Sequence, residues 1–507
     1  MLLKCATRRD VLRAAAALGA SWILRPAARA FAEEETARPR FVGPPFALGV
    51  ASGYPTPEGF TLWTRLAPAP LEEGGGMGEG AVGIRWQVAE DARFARVVAE
   101  GTAVARPELA HSVHVDVSGL RPDRWYWYRF LAGDETSPVG RTRTAPAAGS
   151  TPRSLALAFA SCQHYEHGYY AAYRHMREEN LDLVVFLGDY IYEATWGSVL
   201  LRRHAPSSES RDLASYRIRH AQYKTDPDLQ AMHAAAPWLC IWDDHEVSND
   251  YADDQSEKLE PDFLARRAAA YQAYYEHMPL PARMLPVGST AQIYTTLDFG
   301  RLARLYLLDD RQYRSHQACP KPGRGGSNVV GRECAELADP ARTLLGATQE
   351  AWLASRFADS EARWNVLAQQ SLLCQLDNQV GPEETVWTDA WSGYPAARRR
   401  LLAALQSAGS RNPVVIGGDI HANVVANVHL DPHDPASPII AAEVCGTSIS
   451  SEGPSTAKFW GPIRDENPHV LFSDGDRRGY VLATANTNLE ALERAEAAAR
   501  LLDVETE

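Results

Sequence analysis

Between Phe41 and about Ala145 the chain alternates short apolar runs with turn-forming residues: Phe46–Val50, Phe60–Thr64, Val82–Val88, Val113–Val117 and Trp125–Phe130. In the fourth run Val113, Val115 and Val117 share one face of an extended strand, and His114 and Asp116 take the other. About seven such runs in ~100 residues is the spacing of an all-β sandwich, predicted over residues 41–145. The stretch from Thr142 to Arg153, rich in Ala, Pro, Gly and Ser, predicts a linker at 146–153.

From Ser154 the period changes to strands alternating with helices, the pattern of a layered α/β domain with mixed sheets flanked by helices, predicted over 154–487. Apolar runs at Ser154–Ser161, Leu181–Leu187, Trp238–Trp242, Arg304–Leu308, Trp364–Ala368 and Val414–Ile416 predict strands. The second is nearly continuous, as expected of a strand covered on both faces. Helices are predicted over Tyr169–Glu179 and around 211–233, 262–277, 348–358, 395–407 and 488–502, the last an Ala/Glu-rich amphipathic helix before the tail at 503–507. In the N-terminal region, Gly119-Leu120-Arg121-Pro122 before the aromatic run is similar to the turn ahead of a late strand in fibronectin-type or Ig-like sandwiches.

The first thirty residues change how composition is read. Lys4, Arg8 and Arg9 form a basic start, Val11 to Leu24 is a short Ala-rich apolar stretch broken by Arg13, and Ala28-Arg29-Ala30 is an A-x-A cleavage site. Thr7-Arg8-Arg9-Asp10-Val11-Leu12 resembles a twin-arginine export signal, so the twin-arginine translocation machinery is an expected partner and the periplasm or exterior the expected compartment. The stretch is too short and too weakly apolar to span a bilayer, and no other run is long enough, so no stable membrane insertion is expected after processing. Removing residues 1–30 takes away six basic residues, one acid and Cys5; the net charge moves from −13 to −18, and six of the seven Cys remain. A surface this acidic repels phosphate backbones, so no nucleic-acid-binding surface is expected.

Chemistry collects directly after the predicted strands, in Ala160-Ser161-Cys162-Gln163, Gly188-Asp189-Tyr190-Ile191-Tyr192-Glu193, Asp243-Asp244-His245-Glu246-Val247-Ser248-Asn249-Asp250, Asp309-Asp310-Arg311 and Gly417-Gly418-Asp419-Ile420-His421-Ala422-Asn423. Ligands of α/β sheets bind beyond the carboxyl ends of strands, so these loops are expected to meet in one crevice. Singly each has an ordinary structural explanation: an Asp after Gly caps turns, a lone Cys after a strand packs as a small hydrophobe, and a buried Tyr or His satisfies itself in the core. Together Cys162, Asp189, Tyr192, Asp244, Asn249, Asp419 and His421 bring more carboxylates to one crevice than burial tolerates without cations. Asp189, on the central strand, can bridge two ions. Hard oxygen ligands favour Ca²⁺, Mg²⁺ or Mn²⁺, and the Cys162, Tyr192 and His421 set suits Fe³⁺ or Zn²⁺.

These strings resemble those of the PhoD-type alkaline phosphatases, within the calcineurin-like metallophosphoesterase superfamily. The resemblance covers nearly the whole chain: the twin-arginine signal, Phe46-Ala47-Leu48-Gly49-Val50-Ala51-Ser52-Gly53, Leu62-Trp63-Thr64-Arg65-Leu66, and ASCQ (160–163), GDYIYE (188–193), WDDHEVSND (242–250), LDDRQYR (308–314) and GGDIHAN (417–423). GDYIY also matches the GDxxY of the purple acid phosphatase branch. Where the superfamily has GNHE this chain has Asp243-Asp244-His245-Glu246; where it has GHxH, Gly418-Asp419-Ile420-His421; and Cys162 stands in the usual place of an Asp.

The resemblance implies an Fe³⁺ held by Cys162, Asp189, Tyr192 and His421 with adjacent Ca²⁺ ions, Asp244 and Asp419 as ligands, Asn249 on calcium, His245 as the catalytic histidine and Arg311 on the phosphate. Arg311 has an ordinary alternative in an ion pair with Asp309 or Asp310. Gln369 and Gln370 lie near where the superfamily places a further histidine and are left unassigned. The implied activity is hydrolysis of phosphate mono- or diesters at alkaline pH by attack of a metal-bound hydroxide or oxide. Competing readings are a phospholipase D-like hydrolase of phospholipid or teichoic-acid diesters, and a binding or adhesion protein with a degenerate phosphatase domain. In an exported chain, the spacing of Cys319 and Cys334 around a Pro/Gly-rich loop predicts a disulfide; Cys240 and Cys374 are expected in the core, and Cys445 beside the site.

Overall fold

A computed structural model describes residues 40–198 and 200–486. The expected signal at 1–30 and the helix at 488–502 lie outside the described residues. Two seven-stranded sheets form the body. The first runs, in spatial order, Val481–Asn486, Ser154–Ala160, Leu183–Phe186, Trp238–Cys240, Val50–Thr56, Gly59–Arg65, Ser112–Val117; the second, Thr295–Phe299, Ala303–Leu307, Trp364–Ala368, Pro413–Gly417, Ile439–Cys445, Asn423–His429, Val470–Asp474. At the centre of each, four neighbouring strands are parallel. One apolar cluster joins Leu157, Val184 and Phe186 of the first sheet to Leu305, Leu307, Ala368 and Ile416 of the second, and takes in helices Leu213–Lys224, Pro227–Ala235 and Phe263–His277. A second cluster packs helices Gly346–Ala358 and Pro395–Ser407 against Tyr306, Leu367 and Val415. Covered centres explain why the central strands read as unbroken apolar runs. Among the described residues, no helix is long and apolar enough to cross a membrane.

The N-terminal region differs from a free-standing sandwich. A five-stranded sheet built on Val82–Ala89, Val97–Ala105 and Trp125–Ala132 turns Ile84, Val88, Tyr128 and Phe130 toward Phe60, Leu62, Val113 and Val115, so two β-layers do face each other. The second layer is the outer part of the first large sheet, joined through the parallel pair Gly53↔Trp238. The polar face of Ser112–Val117 shows why: His114 Nδ1 donates to the carbonyl of Leu280 (2.8 Å), its ring stacks on Tyr275 (4.1 Å between centroids), and Asp116 accepts from the amide of Ala282 (3.2 Å). Trp63 Nε1 likewise donates to Glu276 O at 3.0 Å. The polar face therefore packs on the helix Phe263–His277 and the turn after it, and the 146–153 segment joins layers that share a sheet. The run Phe46–Val50 is also not a strand; Phe46–Gly49 is a turn closed by Gly49 N to Phe46 O (2.9 Å), and the strand begins at Val50.

Gly53 makes the shared sheet possible. A Cβ there would lie 2.5 Å from Trp238 O and 2.7 Å from Pro279 O, inside any real contact. Gly53→Ala is expected to cost about 2 kcal/mol by overpacking and to lower the thermal unfolding midpoint. Gly83→Ala, whose Cβ meets nothing within 4 Å, is expected to leave it in place.

Candidate active site

Because the central strands of both sheets are parallel, their carboxyl ends open onto one edge, and the polar strings following Ala160, Phe186, Cys240, Leu307 and Gly417 meet there. Glu246 ties two of these ends together: one oxygen accepts from the amides of Asp189 (3.0 Å) and Asp243 (2.7 Å), the other from Tyr190 (2.5 Å). Gly188 permits the approach, since a Cβ on it would strike the backbone and side chain of Asp243. Cys162, Asp189, Asp250, Asp419 and His421 all hold positive φ (50–68°), a costly conformation for residues with a side chain, and one that collects at functional sites.

Two donor groups share Asp189. In one, Cys162 Sγ, a carboxylate oxygen of Asp189 and a ring nitrogen of His421 lie within 4.8 Å of one another. Tyr192 Oη stands between them, 2.8 Å from Asp189 Oδ2 and 3.1 Å from His421 Nε2. His421 Nδ1 donates to the carbonyl of Glu452 at 2.5 Å, which leaves the Nε2 lone pair for the site. In the other group, Asp189, Asp244 and His245 meet the same distance criterion, as do Asp243, Asp244 and Asp419. Asn249 lines the same crevice; its Nδ2 donates to Glu257 (3.2 Å), so its carbonyl oxygen is the end left to ligate. Glu193 holds both neighbours, taking His245 Nδ1 on one oxygen (2.7 Å) and the amide of Asn249 on the other (3.0 Å).

The electrostatics are those of a site short of positive charge. Burial, reinforced by neighbouring acids, pushes the carboxyls of Asp189 and Asp419 well above the usual range, and burial lifts Asp243 to about 6. Burial acts on Asp244 too, but Arg311 and His245 outweigh it and hold that carboxyl low. The Cys162 thiol and Tyr192 phenol are driven up by burial and then by Asp189, and burial takes His421 down to about 3. Buried oxygens of Asp189, Asp243 and Asp389 have no hydrogen-bond partner. Orphaned carboxylate oxygens, a thiol, a phenol and an imidazole lone pair around one space are a donor set that fits cations.

Arg311 sits beneath this crevice. Its side chain is wholly buried, with Nε on Asp243 (2.5 Å) and Nη1 on Asp389 (2.7 Å), while Nη2 lies 3.9 Å from both Asp244 and Asp419. Its Nε and Nη1 are thus taken by Asp243 and Asp389 rather than by Asp309 or Asp310, and its buried Nη2 has no hydrogen-bond partner. Arg314 shares Asp389 at 2.7 Å. Gln369 and Gln370 are spent on structure: Gln369 Oε1 accepts from Trp391 Nε1 (3.0 Å), and Gln370 Nε2 donates to Trp242 O (2.7 Å). A further buried group, His164, Glu166 and His204, has Arg219 Nη1 3.0 Å from His204 Nδ1 and Tyr223 Oη 3.1 Å from its Nε2, so an arginine already supplies its cation.

Sequence reasoning passes over Glu193, Asp243, Glu246 and Asp250, although all four lie inside the motif strings, and over Asp389, Trp196 and Trp387; Asp250, Trp196 and Trp387 line the crevice. Asp389 and Trp387 follow no central strand and carry no local signal. They are placed by the loop that the disulfide Cys319–Cys334 closes (Cα–Cα 6.0 Å). Val329 of that loop pairs with Trp387, Ser327 donates to Asp250, Arg324 pairs with Glu257, and Gln317, just before the loop, donates to Asp389 (2.7 Å). Cys162, Cys240, Cys374 and Cys445 are free and buried.

Arg311→Met is expected to leave Asp243 without its cationic partner and Asp389 with Arg314 alone, and to cost about 3–5 kcal/mol in denaturant unfolding. Replacing Cys319 and Cys334 together by Ser is expected to cost about 3 kcal/mol and to expose residues 320–333 to limited proteolysis, read by mass spectrometry.

The family model described as "PhoD-like phosphatase" matches residues 157–492, and its "N-terminal domain" companion matches residues 31–146. Alkaline phosphatase D of Bacillus subtilis (strain 168) is 47% identical over 462 residues, covering 89% of this chain and 77% of that protein. A solved structure titled "Structure of PhoD" superposes with a TM-score of 0.84 at 46% identity, covering 88% of this chain and 86% of the other. With the fold, the strand-end motifs and both family models in agreement along its length, the chain belongs to the PhoD-like phosphatases and is a phosphoric ester hydrolase.

Proposed function

We propose that the chain is exported by its twin-arginine signal and acts as an alkaline phosphatase on phosphate mono- and diesters, at a multinuclear metal site in which Asp189 is the shared ligand. The observation that carries the reading is the meeting, on Asp189, of a Cys–Tyr–His donor set with a carboxylate set. Cys162, Asp189, Tyr192 and His421 would hold Fe³⁺; Asp189, Asp244, Asn249 and Asp419 would hold Ca²⁺, with Zn²⁺, Mn²⁺ and Mg²⁺ as the alternatives their chemistry admits. When bound, such ions balance the carboxylates, bind phosphate oxygens and lower the pKa of water.

The remaining work falls to the chain. Glu193 accepts from His245 Nδ1 and fixes the ring, so the imidazolium carries its other proton at Nε2, placed to protonate the leaving oxygen. Glu193, Asp244 and Asp189 outweigh burial in raising the pKa of that imidazole, which favours the protonated form. Arg311, which does not itself line the crevice, positions Asp243 and offsets the charge of Asp244 and Asp419. An adhesion protein with a degenerate phosphatase domain is not supported, because degeneration would show first in the donor set, and that set is complete.

Asp189→Ala, folded by circular dichroism, is expected to lose bound metal by elemental analysis and to lower hydrolysis of p-nitrophenyl phosphate and bis-p-nitrophenyl phosphate at least about a thousandfold. Retained turnover with retained metal would overturn the assignment.

A further inference from the structure

Resting on the phosphate-ester reading, we propose that Trp196 and Trp387 are specificity-determining residues, forming an aromatic wall that selects esters whose organic group is planar and aromatic. Both line the crevice that contains Asp189, Asp244 and Asp419, together with Ile420 and Pro454. Trp63, Trp238, Trp242 and Trp391 are fully buried, whereas Trp196 and Trp387 are only half-buried and keep indole surface toward the crevice.

Both indoles are held in place. Trp196 lies nearly parallel to the His421 ring (8°, centroids 5.7 Å apart) and meets His167 edge-on (4.6 Å); His167 Nε2 donates to its carbonyl at 2.7 Å. Trp387 ends the short strand Thr385–Trp387, paired with Val329–Gly331 inside the disulfide-closed loop, two residues before the Asp389 that grips Arg311. A pre-positioned indole stacks without the ordering cost that a mobile side chain carries.

Charge excludes the other way of recognising the organic group. Among the described residues lining the crevice there is no Lys or Arg, and the buried Arg311 spends Nε and Nη1 on Asp243 and Asp389. A phosphate bound by cations that the carboxylate floor would hold leaves its ester arm against apolar, π-rich walls, where an aromatic ring gains most.

5′-AMP and ribose 5-phosphate test this, because phosphate leaves the same primary ribose oxygen in both and only the first carries a base. The metal-loaded full-length enzyme is expected to prefer 5′-AMP. In Trp387→Ala the ratio of kcat/KM for 5′-AMP to that for ribose 5-phosphate is expected to fall about tenfold, carried by KM, and Trp387→Phe to restore most of it. Trp196→Ala is expected to move the ratio the same way; Trp387 is the cleaner probe because it does not touch His421. An unchanged ratio in Trp387→Ala, or an equal fall for both substrates, overturns the aromatic wall while leaving the phosphatase reading intact. Failure of the wild-type enzyme to hydrolyse either ester overturns that reading and this proposal with it.

Discussion

The structure is organised around the cost of gathering acids out of water. Asp189, Asp243, Asp244, Asp250, Asp389 and Asp419 meet at the ends of two parallel sheet centres, and the guanidinium groups among them are those of Arg311 and Arg314. Unpaired, such a set is driven toward its neutral forms, as the raised carboxyls of Asp189 and Asp419 show. The fold meets this cost in layers. Arg311 answers Asp243 and Asp389 from below, Glu246 gathers the amides of Asp189, Tyr190, Ile191 and Asp243, Glu193 fixes His245 and Asn249, and an orphan oxygen of Asp189 remains at the crevice. Each of these supports is a buried polar contact, expensive if broken, which explains why so much of the molecule serves a few side chains.

Much of this is legible in the chain because apolar runs locate the strands and the residues just past them locate the site. The central strands of the α/β region, the helices after 211, 262, 348 and 395, and the convergence of Cys162, Asp189, Tyr192, Asp244, Asn249, Asp419 and His421 on one edge are all readable that way. Strands Ile439–Cys445 and Val470–Asp474 are not among the predicted runs; the first pairs with Pro413–Gly417 and Asn423–His429, the second with Asn423–His429. The burial of Arg311 is invisible locally, for an Arg after a strand reads the same whether it faces a ligand or the underside of its neighbours. Trp387 and Asp389 belong to a loop whose position depends on a covalent bond and a two-stranded pairing. Periodicity reports what a residue's own element does; it does not report what another element brings to it.

The N-terminal strands illustrate the same limit. The period-2 pattern of Ser112–Val117 separates its two faces correctly, but polarity does not say whether the polar face meets water or the backbone of another segment. His114 and Asp116 meet the second. What reads as an independent module is joined to the catalytic body by hydrogen bonds, an aromatic stack and a shared sheet.

That shared sheet also sets an order of events during synthesis. The strand Val50–Thr56 has its parallel partner at Trp238, and the opposite edge of the same sheet is Val481–Asn486, near the end of the chain. Pairings so remote in sequence close slowly, because the loop-closure entropy must be met before any contact repays it. An emerging chain therefore carries strands 50–56, 59–65 and 112–117 with one edge unmatched until residue 238 follows them out of the ribosome, and the sheet is finished only once residue 486 has followed. Translation speed and chaperone occupancy thus become determinants of yield for a protein whose first strand waits for its middle, and whose central sheet waits for its last.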